Sequence, residues 1–245
     1  MTRICPKCGP VPPVALPVSG RLVPGMCECD RAERERREVE ELRARLRAAR
    51  LRASGLPLAL QGATFEGFVP RRGTTAALEV MRSYAAAWPA QLETGDGVML
   101  MGPPGTGKSH LAAALVMTVV ATHTARLEKV PMLMDRFDAA LREDPPETQA
   151  TIYERLRDYA LLVLDDLGAQ KWSEAREERI LRVIDERVEH RRPIVVTTNC
   201  TMAEMEHNIG LRALDRLVGV CAVVSLKGAS SYRQERAERR VAAVR

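Results

Sequence analysis

Eight residues constrain this chain more than any others: Gly102-Pro103-Pro104-Gly105-Thr106-Gly107-Lys108-Ser109. They spell G-x-x-x-x-G-K-S, and both flanks suit it. The apolar run Gly97-Val98-Met99-Leu100-Met101 reads as a strand entering the loop. His110-Leu111-Ala112-Ala113-Ala114-Leu115-Val116-Met117 reads as a helix leaving it. Glycines let backbone N–H groups close on phosphate oxygens, and the helix N-terminus adds the positive end of its dipole. Lys108 then reaches the β- and γ-phosphates, and the Ser109 hydroxyl ligates Mg²⁺. Gly102 to Ser109, with His110 opening the helix, are the candidate nucleotide-binding residues.

Carboxylates follow at the end of a second apolar run, Leu161-Leu162-Val163-Leu164-Asp165-Asp166. A continuous apolar run of this kind suits a strand buried on both faces of a parallel sheet. Its C-terminal end delivers acids to the crevice where such sheets bind ligands. Asp165 is the candidate partner of the magnesium shell, and Asp166 the group that orients or deprotonates an attacking water. Taken alone, Asp-Asp-Leu-Gly is also good turn chemistry. A third run, Pro193-Ile194-Val195-Val196-Thr197-Thr198, ends in Asn199, a candidate to hold that water or simply to cap the strand.

GPPGTGKSHLA, LLVLDDLG and PIVVTTN, in this order and at these spacings, resemble the AAA+ ATPases of the DnaC/IstB type. These are replicative helicase loaders and the related transposition helper ATPases. The resemblance covers about residues 62–233. It implies an α/β fold, an AAA+ P-loop NTPase with a five-stranded parallel sheet between helices. By the same likeness, residues 61–68 are the aromatic segment near the adenine. The helix over 209–217 resembles the one bearing the family's arginine finger, with Arg216 as the finger and Arg212 in reserve. Gly228-Ala229-Ser230-Ser231-Tyr232-Arg233 resembles the closing motif, with Arg233 facing nucleotide.

The N-terminal region has a different character. Cys5-Pro6-Lys7-Cys8-Gly9 is followed after 18 residues by Cys27-Glu28-Cys29. Four thiolates in two close pairs are what tetrahedral Zn²⁺ takes, and a short segment without a core needs such a staple. Cys5, Cys8, Cys27 and Cys29 are therefore the candidate zinc ligands. A redox dithiol would normally open a helix in a thioredoxin-like context, which is missing here. Cys200 and Cys221 lie beside core strands and read as buried thiols. Five prolines between the cysteine pairs exclude a helix there. Residues 30–53 then read as an arginine- and glutamate-rich helix that Asp30 can cap. Val39, Leu42, Leu46, Ala49 and Ala53 form one narrow apolar seam along it. That seam belongs either to a solvated linker or to a helix that pairs with a partner. Ser54-Gly55-Leu56-Pro57 ends it. The expected domains are thus a zinc module over 1–29, a charged helix over 30–55 and the ATPase domain over 56–245.

Charge separates the regions as well. The formal net charge is +5, and residues 1–55 hold 12 Lys+Arg against 7 Asp+Glu, so the whole excess lies there. The ATPase body is neutral overall, which leaves only local patches such as Arg136 as candidate DNA contacts. Stacking aromatics are scarce, with three Phe, four Tyr and two Trp, so any grip on a strand is expected to be electrostatic. No apolar stretch approaches the ~20 residues of a membrane span, and the N-terminus lacks a signal-peptide core. A cytoplasmic protein without membrane contact is expected.

Within the core, strands are predicted near 97–101, 130–134, 161–165, 193–198 and 220–225. Helices are predicted near 75–92, 108–123, 135–143, 149–158, 173–190 and 201–217. Only 46 residues follow Asn199, too few for a complete AAA+ helical lid. Nucleotide is then expected to be closed off by a neighbouring subunit. The resemblance implies an ATP-dependent loader that places a hexameric replicative DNA helicase on single-stranded DNA. It would hydrolyse ATP with Mg²⁺ and assemble through an arginine finger supplied in trans. The alternative is a transposition helper ATPase assembling on double-stranded DNA. From another class comes a zinc-dependent nucleic-acid-binding protein whose nucleotide site acts as a switch.

Overall fold

The computed structural model describes residues 2–169 and 172–242. The chain divides into two compact units, Met1–Ala49 and Arg50–Arg245. In the first unit, β1 (Arg3–Cys5) pairs antiparallel with β2 (Gly9–Val11), and β3 (Val14–Ala15) with β4 (Leu22–Val23). Prolines keep these strands short. Gly25 is obligatory where the chain doubles back, because a Cβ there would lie 2.0 Å from the Pro12 carbonyl oxygen. The unit's buried apolar side chains are Cys5, Val11 and Cys27, with Cys29 packed on them, so its centre is sulfur rather than hydrocarbon.

Helix α1 (Glu28–Ala53) begins two residues before the expected cap, so Asp30 lies in its first turn. There Asp30 accepts an ion pair from Arg3 at 2.6 Å. The helix buries none of its side chains. It stops at Ser54, and Gly55 turns away in the left-handed region with φ 69°.

The second unit is a five-stranded parallel sheet between two layers of helices. Its strands are β5 (Gly97–Met101), β6 (Ala125–Lys129), β7 (Leu161–Asp165), β8 (Ile194–Thr198) and β9 (Cys221–Ser225), in the order β6-β7-β8-β5-β9. The helices are α2 (Thr75–Ala86), α3 (Trp88–Thr94), α4 (Lys108–Val119), α5 (Val130–Ala139), α6 (Gln149–Asp158), α7 (Glu174–Glu189), α8 (Met202–Ile209), α9 (Leu211–Val220) and α10 (Tyr232–Ala242). The continuous apolar runs conceal a strict alternation. Val98, Leu100, Leu161, Val163 and Val195 face the core built with α2 and α4. Met99, Met101, Leu162, Leu164 and Val196 face the one built with α5, α6 and α7. Parallel strands buried on both faces require this composition.

One predicted strand is displaced. Residues 130–134 are helical, and the strand is Ala125–Lys129 just before them. Pro131 explains the helix: it stands in the first turn, where its missing N–H costs nothing. The strand escaped notice because Arg126 and Glu128 interrupt it. Glu128 is nonetheless buried, accepting from Arg126 at 2.8 Å and from Arg136 at 2.7 Å. Arg136 also binds Glu147 at 2.7 Å. It is therefore a structural cation of α5, paired on both sides, and not a free contact for DNA. Two predicted helices are each divided in two. Pro89 restarts the first as α3. Gly210, at φ 85°, separates α8 from α9.

Arg187, on α7, is fully buried, and among the described residues it forms no ion pair with a carboxylate. Its guanidinium donates to the carbonyls of Leu156, Arg157 and Ala160 at 3.0, 3.1 and 3.3 Å, and also to those of Tyr159 and Pro193. It thereby caps the end of α6 and ties down the entries to β7 and β8. Burial lowers its pKa to about 9. An Arg187→Met change keeps the volume and removes the guanidinium's bonds to these carbonyls, of which Pro193 alone is seen to keep another donor, the Leu162 amide. It is expected to cost on the order of 3 kcal/mol, read as a lower urea midpoint at unchanged m-value.

Candidate functional site

The phosphate loop leaves β5 and enters α4 as expected. Gly105 and Gly107 take left-handed φ values of 80° and 96°. Both glycines are also enforced by crowding: a Cβ on Gly107 would lie 2.5 Å from the Phe68 ring, and one on Gly105 would lie 2.2 Å from Ser231 Oγ. Thr106 Oγ1 fastens the turn by donating to the Pro103 carbonyl at 3.0 Å. Pro104 is exposed at its crest. Ser109, half-buried in the first turn of α4, presents its hydroxyl beside Lys108 in sequence. His110 donates through Nε2 to the Thr64 carbonyl at 2.9 Å, and its ring centre stands 5.7 Å from that of Phe68. The predicted aromatic segment thus covers the loop, with Phe68 as its contact residue.

Lys108 is 4% exposed. Its Nζ donates to the carbonyls of Gly102 and Pro103 at 2.7 and 2.9 Å and to Asn199 Oδ1 at 2.7 Å. Asn199 Nδ2 in turn faces Asp166 Oδ1 at 3.4 Å. Asp165 is buried and accepts from the Thr197 hydroxyl at 2.6 Å, while the Asp166 amide donates to that same hydroxyl at 3.1 Å. Thr197 therefore sets both acids at once. Asp166 holds φ 60°, a strained value for an aspartate, and such strain gathers at functional sites. Burial, then the neighbouring Asp165, raises the pKa of Asp166. Lys129 opposes that shift from the end of β6, in register with Asp165.

The closing motif also reaches the loop. The Tyr232 amide donates to the Gly105 carbonyl at 2.9 Å. Arg233, one residue on, is close enough to Lys108 to disfavour its charge. Arg216 is elsewhere: it is exposed on α9 and pairs with Asp185 of α7 at 3.0 Å. Arg212 is exposed on the same helix. An open groove of about 720 Å³ lies at the opposite end of the sheet, beside Tyr84, Asp96 and Cys221. There the Cys221 thiol is pushed up to about 12 by burial, and Tyr84 donates to the Asp96 carbonyl at 2.6 Å, so neither group is poised for chemistry. Cys200 is only half-buried, its thiol donating to the Gly168 carbonyl at 2.9 Å.

In the first unit the Sγ atoms of Cys5, Cys8, Cys27 and Cys29 all lie within 4.8 Å of one another. Cys29 Sγ is 3.2, 3.0 and 3.2 Å from those of Cys5, Cys8 and Cys27. The backbone amides of Lys7 and Cys8 lower the Cys5 thiol to about 6, favouring a thiolate there. The crowding of three sulfurs raises Cys29. A second thiolate in such a cluster needs a cation, and this donor set is one that can hold a tetrahedral metal.

The sequence profile of the IstB-like ATP-binding proteins matches residues 26–240 of this chain. The chain belongs to that family. As an IstB-like protein it is an ATP-binding P-loop ATPase of the AAA+ class. The replicative helicase loader DnaC of Escherichia coli is 28% identical over 166 residues, 67% of this chain and 66% of its own length. This IstB-like chain thus spans just under two thirds of that relative. An insertion-sequence ATP-binding protein of Sinorhizobium fredii is 29% identical over 229 residues, 89% of this chain and 70% of its own length. A crystal structure of the DnaC helicase loader shares the fold, with a TM-score of 0.63 at 21% identity over 70% of this chain and 100% of that one. No helix among the described residues is long and apolar enough to cross a membrane.

Thr197 and Lys129 were absent from the sequence-derived site. Thr197 sits in a Thr-Thr pair at a strand end, a polar break in a buried run that signals a contact. Lys129 closes the strand that the sequence placed too late.

Burial holds the pKa of Lys108 down to about 8. Phosphate charge favours the ammonium, so nucleotide binding raises that pKa and takes up a proton wherever Lys108 was neutral. ATP affinity is therefore expected to be flat below pH 8 and to weaken above it, by up to about tenfold per unit. Titration calorimetry at pH 7 and 9.5 checks this, and Lys108→Arg should flatten the profile.

Proposed function

We propose that this protein is an ATP-dependent loader of a hexameric replicative DNA helicase onto single-stranded DNA. The observation carrying this reading is the organisation of the first unit: a four-thiol cluster that continues into a long helix with an exposed apolar stripe. Val39, Leu42 and Leu46 are 48%, 56% and 45% exposed. Arg43 and Arg45 flank the stripe on its two sides by helical spacing. An apolar helix bordered by carboxylates, carried by the helicase, complements it. Zn²⁺ on the four cysteines would fix the module at the root of that helix.

In the ATPase unit, Ser109 and Asp165 offer the hard oxygen donors that Mg²⁺ takes, and the ion would neutralise charge building on the phosphates. Lys108 binds the β- and γ-phosphates. Asp166 accepts a proton from the attacking water as the new bond to the γ-phosphorus forms and the bond to the β-phosphate oxygen breaks, giving ADP and phosphate. Asn199 bridges Lys108 and Asp166 and orients that water. Arg233 faces the nucleotide within the chain, and Arg216 of a neighbouring protomer is the finger. An exposed ion pair such as Arg216–Asp185 contributes at most about 1 kcal/mol, so releasing Arg216 for a neighbour costs little.

A second reading, an insertion-sequence helper that assembles on double-stranded DNA, is favoured by the greater reach of the Sinorhizobium fredii likeness along this chain. The two separate by partner. Capture of the cognate helicase, weakened by Cys8→Ser or by a chelator while ATP binding persists, supports the loader. Zinc-free protein, or full-strength capture by the Cys8→Ser variant, removes the module from that role. Binding to duplex DNA with no helicase capture selects the helper.

The trans finger has its own test. Arg216→Ala and Lys108→Ala protomers are each expected to be inactive in assembly. Mixed, they create interfaces with one intact finger and one intact site, and activity should return. Loss in the pure Arg216→Ala assembly should reach ~10³-fold. No recovery at any mixing ratio counts against a finger supplied in trans.

A further inference from the structure

Arg71 lies outside every motif of the nucleotide site, yet its side chain is only 11% exposed. Among the described residues, the partners of its guanidinium stand on the closing segment. Its Nη1 donates to the Ser230 carbonyl at 3.2 Å and lies 3.8 Å from Glu235 Oε1. Its guanidinium carbon stands 5.0 Å from the centre of the Tyr232 ring. Its Nε is buried without a partner, a cost borne to keep the group where it is. A planar guanidinium serves a carbonyl, a carboxylate and a ring face together; an ammonium does not.

The platform beneath it is rigid. The Arg71 amide donates to Thr74 Oγ1 at 2.8 Å, that hydroxyl donates back to the Arg71 carbonyl at 2.9 Å, and Thr74 is fully buried. At Gly73, φ 78°, a Cβ would lie 2.9 Å from the Lys227 carbonyl oxygen, so the two backbones touch. On the far side, the closing segment meets the phosphate loop through the Tyr232 amide and Ser231. Ser230 Oγ donates to Glu235 at 2.6 Å and completes the turn. A continuous set of contacts thus runs from Arg71 through the start of α10 to Gly105.

We propose that Arg71 is a positioning residue of the nucleotide site: it seats the first turn of α10 on Gly105 and so aims Arg233 at the bound phosphates. This rests on the reading of Arg233 as nucleotide-facing. Three features support it. Among the described residues, the polar partners of the Arg71 guanidinium all lie on the segment that carries Arg233. That segment touches the loop at a glycine where an added Cβ would meet Ser231. The link from Tyr232 to Arg233 is a single peptide bond at the start of a helix, which leaves little freedom to re-aim the side chain.

The test is a double-mutant cycle in the full-length protein, with steady-state ATP kinetics and urea midpoints for Arg71→Ala, Arg71→Lys, Arg233→Ala and the double variant. Arg71→Ala is expected to raise KM for ATP about tenfold with kcat within about twofold, and Arg71→Lys to recover part of the loss. Arg233→Ala should match it, and the double variant should be no worse than Arg233→Ala alone. Amide exchange should quicken over residues 228–236 in Arg71→Ala and stay unchanged at β7. An unchanged KM in Arg71→Ala, or fold-changes that multiply in the double variant, overturns the proposal. Wild-type KM in Arg233→Ala with a raised KM in Arg71→Ala refutes the nucleotide-facing role of Arg233 itself. If Arg71→Ala folds poorly, Arg71→Lys paired with Arg233→Ala gives the same cycle.

Discussion

The burial of one ammonium group governs the layout of the ATPase unit. Lys108 is almost wholly removed from water, and a buried cation must find acceptors and opposite charge at fixed places. Three strands supply them. The carbonyls of Gly102 and Pro103 come at the end of β5, Asn199 from β8, and the two acids from β7. Those strands are neighbours only in the order β7-β8-β5, which chain order does not provide. Parallel crossovers with helices on both faces are the way to bring them together. The two apolar layers are therefore as much a consequence of the site as a support for it.

This explains which parts could be read from sequence. Gly102–Ser109, Asp165, Asp166 and Asn199 each stand at the end of an apolar run, so the strand and its chemistry announce one another. Where packing is polar, that signal fails. Ala125–Lys129 is a strand with a charged residue at every second position, and its buried Glu128 is satisfied by Arg126 and by Arg136 from a different element. No local pattern forecasts a partner eight residues away around a helix turn. Arg187 hides more thoroughly still: on a helix rich in surface arginines it is indistinguishable until the carbonyls of α6, β7 and β8 converge on it. Thr197 was legible only as a strand residue. Its use as a hinge between Asp165 and Asp166 depends on the parallel neighbour.

The first unit follows another logic. With Val11 as its buried aliphatic side chain beside three cysteines, it has far less apolar burial than a core of its own would require. Four convergent thiols stand where hydrocarbon would otherwise be, and their convergence was readable because cysteine spacing survives any loop conformation. The roles of its prolines and of Gly25 are complementary. The prolines prevent long strands, and the glycine lets the chain cross itself at Pro12.

Specificity among IstB-like proteins has to arise where their common core does not reach. In the proposed roles the phosphate loop, both acids and Asn199 serve ATP whatever the partner, so they carry no information about it. The excess positive charge lies wholly in residues 1–55, and residues 56–245 are neutral. An apolar stripe left in water along α1 forfeits roughly 25 cal/mol for each Å² it could bury. Charges of both signs border it, Arg43 on one side and Glu38 and Arg45 on the other, so its edges select a partner by the order of charges along it. On the proposed reading, assembly falls to the ATPase unit and partner choice to the arm, so the two tasks occupy separate surfaces of the sequence.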